Sequence, residues 1–507
     1  MNSFIETMKN FGETENGAVA YNSTCSALLD AFGSLGAMKD SPEEDIIDIF
    51  SKAYDEDPDY AMKLLFYMRD IREGQGMRRV FRVCCHWLAY THRDALCRNL
   101  QYISEYGRWD DLINLFYNQP DIRNEVGDII FNQLNADMIA ARDGKKVSLL
   151  GKWMPSNNAS SKTTKAIARM LTSYFHMTPK LYRKTLAYLR KHIDVVECKM
   201  SNNSWDEIKY SAVPSHAANS YSGAFAKHDK ERYKEYLTDL AIGKAKINAG
   251  ALFPKDILHK VWEYSGNREI KEAVADAQWK ALPNYLGDSI ETGICVVDTS
   301  GSMWGDPLEV AVSLGLYCAD KCRGPFKNHF ITFSRCPELQ EIIGETFAEK
   351  VNNMSGANWM GNTNIEKVFD LILMTAKSSH CKPEDMPKKL YIISDMQFDE
   401  AATTNSFIPF MQLMKQKYKD AGYEMPALIY WNVRASRCAM FHDTFEGEDC
   451  CFVSGYSPVL FKNILEGTEY VEVTKADGTK ETKQKIDPVN VMMTTLNSER
   501  YAPIRAY

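Results

Sequence analysis

The texture of the chain changes near residue 285, and that change limits the folds open to it. Before it the pattern is helical. The stretch "SPEEDIIDIFSKAYDEDPDYAMKLLFYMRDIREG" begins with Ser41 as a cap, then Pro42 and three acids, as a helix amino terminus requires. Ile46, Ile47, Ile49 and Phe50 follow at helical spacing, and a second helix is expected from Asp57–Pro58 onward. "MRRVFRVCCHWLAYTH", "IRNEVGDIIFNQLNADMIAARDG", "KTTKAIARMLTSYFH" and "PKLYRKTLAYLRKH" continue the series, separated by short polar turns. Helix pairs without a strand signal predict an α-helical array, a solenoid or a ring, with no clean repeat period. After residue 285, "ETGICVVD", "NHFITFS", "KKLYIISD" and "PALIYWNV" are short apolar runs rich in β-branched and aromatic residues, with amphipathic stretches between them. That alternation predicts a doubly wound α/β fold, a parallel sheet with helices on both faces. A hairpin is expected around Asp477–Gly478, and a last helix through "PVNVMMTTLNSERY". A chain of 507 residues exceeds one ordinary core, so two domains are expected, 1–280 and 281–507.

Composition excludes several classes. Hydrophobic content of 45% and charged content of 25% are those of a soluble globular protein. No apolar run approaches the roughly 18 residues that span a bilayer, and the start has neither a basic nor an apolar signal region. The 13 cysteines form no C-x-x-C pair and the ten histidines no H-x-x-x-H pair, so zinc is not expected. Reduced thiols in a cytoplasmic setting are the expected state, with Cys84–Cys85 and Cys450–Cys451 as buried pairs.

The apolar run ending in "VVDTSGSM" places Asp298, Ser300 and Ser302 at alternate positions of one strand-end loop. In a doubly wound sheet, ligands collect at the carboxyl ends of strands. Two more strand-end segments carry oxygens: "WMGNTNIEKVF" puts Thr363 just before a helix, and "YIISD" delivers Asp395 directly. Few carboxylates joined by hydroxyls suit a hard divalent ion that keeps some of its waters, typically Mg²⁺. A nucleophilic or acid–base role for Asp298 fits less well. The order Asp-Thr-Ser-Gly is not the Asp-Thr-Gly of aspartic proteases, position 300 is not the second acid of aspartate-nucleophile phosphatases, and Ser300 has no G-x-S-x-G elbow. No enzymatic activity and no small-molecule substrate are expected.

The D-x-S-x-S run, with a loop threonine and a strand-end aspartate after it, resembles the metal-ion-dependent adhesion site of von Willebrand factor A domains. A helical array followed by such a domain is similar to the plan of the Ro (TROVE) ribonucleoproteins, in which a ring of HEAT-like helices carries RNA. More specifically, "REGQGMRRVFR", "YGRWDDL", "YRKTLAYLRKHIDVVECKMSNNSWDEIKYSAVPS", "KINAGALFP", "VVDTSGSM", "SDMQFDEA", "YWNVRASR" and "FVSGYSPVLFKNIL" resemble the 2828 family of domains of unknown function along nearly the whole chain. The resemblance implies Mg²⁺ held by Asp298, Ser300, Ser302, Thr363 and Asp395, with one position open to a phosphate or to an acidic side chain of a protein partner. Gln75 stands where that family often has a lysine, which removes a phosphate-binding cation from the turn.

Charge points to a second partner. Between Arg142 and Lys199, thirteen Lys and Arg face three acids, a net +10, so the rest of this −7 chain carries −17. A local basic segment in an acidic protein suits an anionic polymer, RNA first. The candidate contacts are Lys162, Lys165, Arg169, Arg183, Lys184, Arg190 and Lys191; residues 183 and 190, and 184 and 191, are seven apart and share a helical face. Arg72, Arg78, Arg79 and Arg82 form a second basic cluster, for which surface ion pairs are an equal alternative. "WNVRASR" is expected to place Arg434 and Arg437 at the metal end of the sheet. The expected function is RNA binding by the helices and partner recruitment by the metal-bearing domain. The alternatives are a metal-dependent protein scaffold without RNA, and a metal-dependent hydrolase.

Overall fold

The computed structural model describes residues 10–13, 19–263, 267–287, 292–333, 336–356, 364–398, 410–435, 449–474 and 480–507. By their internal contacts these fall into two compact units, Met1–Ala61 with Leu252–Arg500, and Met62–Ala251 with Tyr501–Tyr507.

The second unit is helical, and no strand interrupts residues 62–251. Its longer helices are Arg78–Thr91, Trp109–Asn118, Arg123–Arg142, Lys162–Tyr174, Pro179–Ile193, Ser215–His228 and Lys230–Ala241. The first buries an apolar stripe of Val80, Phe81, Cys84, Cys85 and Leu88, as amphipathic periodicity produces, whereas Lys230–Ala241 buries Tyr233 alone. Cys84 and Cys85 are buried thiols, and burial pushes both well above the ordinary thiol range. Gln75 of the Gly-Gln-Gly turn is fully buried, its amide donating to the Tyr67 hydroxyl at 2.6 Å. The last residues of the chain return to this unit: Tyr501 donates to Asp70 at 3.2 Å, and Asn99 to the Arg505 carbonyl at 2.5 Å.

The first unit is built on a sheet. A short antiparallel pair, β1 (Phe11–Glu13) and β2 (Val19–Tyr21), precedes it. The six sheet strands are β3 (Gly293–Asp298), β4 (His329–Phe333), β5 (Leu339–Glu341), β6 (Lys389–Ser394), β7 (Ala427–Asn432) and β8 (Cys450–Ser454). Their order is β5-β4-β3-β6-β7-β8, parallel except for β5, which pairs antiparallel to β4. The sheet is therefore mixed, with one antiparallel edge, rather than wholly parallel. β9 (Thr468–Thr474) and β10 (Lys480–Ile486) form the expected hairpin, although Asp477–Gly478 lie outside the described residues. The expected last helix is Pro488–Leu496.

Period-two alternation divides the strand side chains between two covered faces. Ile294, Val296, Leu390, Ile392, Leu428 and Tyr430 pack with helices Ile365–Ser378 and Phe410–Asp420. Helix Asp306–Lys321 lies on the other face, where an added Cβ on Gly315 would stand 2.4 Å from Val297 Cγ2.

The expected border at 280/281 does not coincide with the two units, because helices from both sides of it belong to the sheet unit. Helix Ala27–Ser34 packs on β8: Ser454 Oγ donates to the Phe32 carbonyl at 2.9 Å and accepts from Gly36 N at 3.0 Å. A Cβ on Gly36 would sit 2.3 Å from the Ser454 carbonyl oxygen, so only glycine permits that approach. Helices Pro254–Trp262 and Arg268–Ala281 pack beside Asp306–Lys321 and Phe347–Ser355, where Trp279 stacks on Phe347 at 4.2 Å and donates to Asp320 at 2.9 Å. Ser41 caps no helix. The helix Glu43–Glu56 starts after Pro42, and the Ser41 hydroxyl instead donates to the Ala435 carbonyl at 3.3 Å. No helix among the described residues is long and apolar enough to cross a membrane.

Candidate metal centre and the basic helices

The chain enters the sheet at β3, builds β4 and β5 on one side, then crosses back to lay β6, β7 and β8 on the other. The strand order therefore reverses between β3 and β6, and the crevice at their carboxyl ends is where α/β sheets bind ligands. Asp298 ends β3 and Asp395 follows β6, so register alone brings the two carboxylates together.

Asp298 is fully buried. Its Oδ2 accepts from Ser394 Oγ at 2.5 Å and its Oδ1 from Ser300 N at 2.9 Å. Burial first, and the Asp395 carboxylate second, push its carboxyl up to about 7 against those hydrogen bonds. Asp395 is 4% exposed and its Oδ1 accepts from Gln397 N at 3.3 Å. Between them Met396 takes a positive φ of 63°, a costly backbone for a residue with a Cβ, held by a bond from Met396 N to Ser394 Oγ at 3.0 Å. Ser300 and Ser302 bring their hydroxyls within 3.0 Å of each other. Neighbouring positions on an octahedral ion with oxygens at about 2.1 Å lie about 3.0 Å apart, so this spacing suits two adjacent ligands. Arg434 donates Nη1 to the Ser302 carbonyl at 2.6 Å and so braces the loop.

This donor set fits a hard cation. Two carboxylates and two hydroxyls converge, whereas among the described residues no three His, Cys, Asp or Glu come together as a zinc site needs. Asp298, Ser300, Ser302 and Asp395 are thus assembled at one place. Thr363 and Arg437, expected beside them, lie outside the described residues. The sequence reading missed Ser394, which positions Asp298; the register of "IISD" beside "VVD" is the signal that would have found it.

The basic candidates divide. Lys162, Lys165, Arg169, Arg183, Lys184 and Lys191 lie on the consecutive, touching helices Lys162–Tyr174 and Pro179–Ile193, and none forms an ion pair with a described residue. All but the half-buried Lys165 are exposed. Arg190 is different. Its guanidinium donates to the carbonyls of Gly151 at 2.9 Å and Met154 at 2.7 Å, and to Ser156 Oγ at 2.9 Å, so it holds that turn in place. Helical spacing aligned Arg190 with Arg183 but could not foresee these acceptors. In the second cluster, Arg82 pairs with Asp110 at 3.0 Å and Asp111 at 2.8 Å, and Arg78 lies 3.9 Å from Asp110. The buried Arg69 joins them through Asp111 at 2.7 Å, and Arg72 donates to the Glu105 carbonyl at 2.7 Å. Arg79 is exposed. This cluster is largely an internal ion-pair network.

Comparison with known proteins adds a family. Residues 292–496 match the family described as Domain of unknown function (DUF7788). A protein of Acanthamoeba polyphaga mimivirus, "Uncharacterized protein L728", is 31% identical over 498 residues, which cover 91% of this chain and 86% of that one. Residues 14–124 and 121–289 match Domain of unknown function (DUF2828), and the chain belongs to that DUF2828 family.

Proposed function

We propose that this is an RNA-binding protein of Ro-like plan, in which HEAT-like helices carry RNA and the sheet unit, a von Willebrand factor A-like domain, recruits a protein partner through a divalent ion. The RNA reading is supported by the six cations on helices Lys162–Tyr174 and Pro179–Ile193 that have no ion-pair partner among the described residues. In a protein of net charge −7, positive charge left unmatched on two touching helices is an electrostatic track for a phosphate backbone. Arg190 and the Arg78–Arg82 network belong to the scaffold in this reading.

The sheet unit has no catalytic part in it. Asp298, Ser300, Ser302 and Asp395 would hold Mg²⁺, with Thr363 as a further ligand. The ion would offer a position that a partner's carboxylate can fill. Ser394 and the Ser300 amide orient the Asp298 carboxylate, and Arg434 fixes the loop that carries Ser302.

The test is titration of a fluorescent single-stranded RNA into the full chain at two salt concentrations. Binding that weakens steeply with salt is expected. No binding at low salt would leave the scaffold reading, a metal-dependent protein binder without RNA. That reading is favoured by Trp304, which is 83% exposed directly after the Asp298 loop.

A further inference from the structure

Helix Pro179–Ile193 presents more than charge. Its fifteen residues include no acid, and it buries Tyr182, Thr185, Leu186 and Leu189. At 3.6 residues per turn, Lys180, Lys184 and Lys191 fall in one stripe opposite that buried face. All three are exposed, and none forms an ion pair with a described residue. Leu181, Tyr188 and His192 fall in a second stripe on the flank, between the lysines and the core. Leu181 is 51% exposed, His192 is exposed and Tyr188 is half-buried. Singly exposed apolar residues are ordinary, but three in line beside unmatched lysines form a contact surface.

The two rings of that stripe are held ready. Tyr188 and His192 lie one turn apart, their ring centroids 4.4 Å from each other and their planes tilted by 53°. The Tyr188 carbonyl can only accept, so His192 donates Nδ1–H to it at 3.0 Å, which fixes the imidazole against the phenol ring. Rings fixed in advance lose little freedom when they meet a ligand. Their tilt also leaves ring faces that a parallel stack would close, as it does for Trp205 and His228, within 8° of parallel at 4.5 Å. Tyr182 of the same helix is fully buried, its hydroxyl donating to the Pro155 carbonyl at 2.9 Å, and serves only the core.

A single RNA strand has the same division as this helix surface, with charge at every phosphate and a flat face on every base. One such ligand satisfies both stripes, whereas a duplex hides its base faces and a protein segment would have to match each lysine with an acid. We propose that Tyr188 and His192, with Leu181 beside them, contact unpaired bases of an RNA strand whose phosphates lie on Lys180, Lys184 and Lys191. The inference rests on the RNA reading of these helices and adds that bases, not phosphates alone, supply affinity.

The experiment compares two fluorescein-labelled strands by anisotropy on the full chain at several salt concentrations. One is a twelve-nucleotide uridine strand and the other an abasic strand of the same length, which keeps the phosphates and lacks the bases. The wild type should bind the uridine strand about tenfold more tightly than the abasic one. Tyr188→Ala and His192→Ala should each remove most of that difference, while the slope of log affinity against log salt stays as it was, because no cation is lost. Tyr188→Phe keeps the ring and should bind as the wild type does. His192 is exposed, so His192→Ala tests the stripe without disturbing the core. Equal affinity for the two strands in the wild type, unchanged binding in both alanine variants, or a Tyr188→Phe as weak as Tyr188→Ala would overturn this proposal and leave RNA held by its backbone. Binding of neither strand at low salt would overturn the RNA reading itself, and this inference with it.

Discussion

Asp298 meets two opposing demands. Burial and the Asp395 carboxylate favour its neutral form, while a cation between the two would favour both charges. Asp298→Ala is therefore expected to abolish Mg²⁺ binding in calorimetry while the far-ultraviolet dichroism of the helices is kept; undiminished affinity would rule the site out. Ser394 holds the Asp298 carboxylate and would act on a bound ion through it, so Ser394→Ala should weaken Mg²⁺ by about tenfold rather than abolish it. Asp306 carries the pH dependence. Burial alone would raise its carboxyl, but Lys39 and Lys255 outweigh that and hold it at about 2. A depressed acid stabilises the fold above its ordinary value of 3.8, and that contribution is lost as pH falls towards 2. Because Asp306 is 36% exposed, solvent discounts the effect. Melting curves of Asp306→Asn should show lower stability at neutral pH and a flatter decline between pH 4 and 2. An unchanged acid limb would contradict the pairing.

At the scale of elements, the contacts that fasten helices are the ones to break. Gly36→Ala would drive a methyl into the Ser454 carbonyl and lift helix Ala27–Ser34 from β8, at a cost of about 1–3 kcal/mol in denaturant unfolding. Arg190 offers a sharper distinction. As a phosphate contact it would tolerate lysine, which keeps the charge; as the clamp on Gly151, Met154 and Ser156 it would not, because lysine lacks the planar fork. Arg190→Lys is expected to lower stability by about 1–3 kcal/mol and to leave RNA affinity per folded molecule nearly intact. Four strands, β3, β4, β6 and β7, were legible because each is a continuous apolar run buried on both faces. β5 was not, since "LQE" is a three-residue, largely exposed edge, and β8 hid within a cysteine pair read only as buried thiols. Asp298 and Asp395 stood out because strand ends expose their chemistry in the sequence. Arg190's acceptors did not, because they depend on which turn the fold brings alongside.

For the whole molecule, amphipathic helices announce that they have a buried face but not what buries it. Helices Ala27–Ser34, Pro254–Trp262 and Arg268–Ala281 read like the rest of the helical series, yet they belong to the sheet unit, the first on β8 and the other two on the helices that flank the sheet, so a border drawn where strands begin misassigns them. A fragment of residues 281–507 would expose the β8 face and the flank of helix Asp306–Lys321. It is expected to lose its near-ultraviolet dichroism and fixed side-chain signals; a cooperatively melting fragment would show that those helices are dispensable. The charge partition is also a property of the whole. Positive residues gather on two helices of an acidic chain, so RNA affinity should depend on those helices and on salt together. The most direct measurement is the slope of log affinity against log salt for single-stranded RNA, in the wild type and in the triple charge reversal Arg183→Glu, Lys184→Glu and Lys191→Glu. The expected result is a steep wild-type slope that falls by about 2–3 in the variant, with affinity down at least about a hundredfold. An identical slope and affinity in the two proteins would contradict the placement of RNA on these helices.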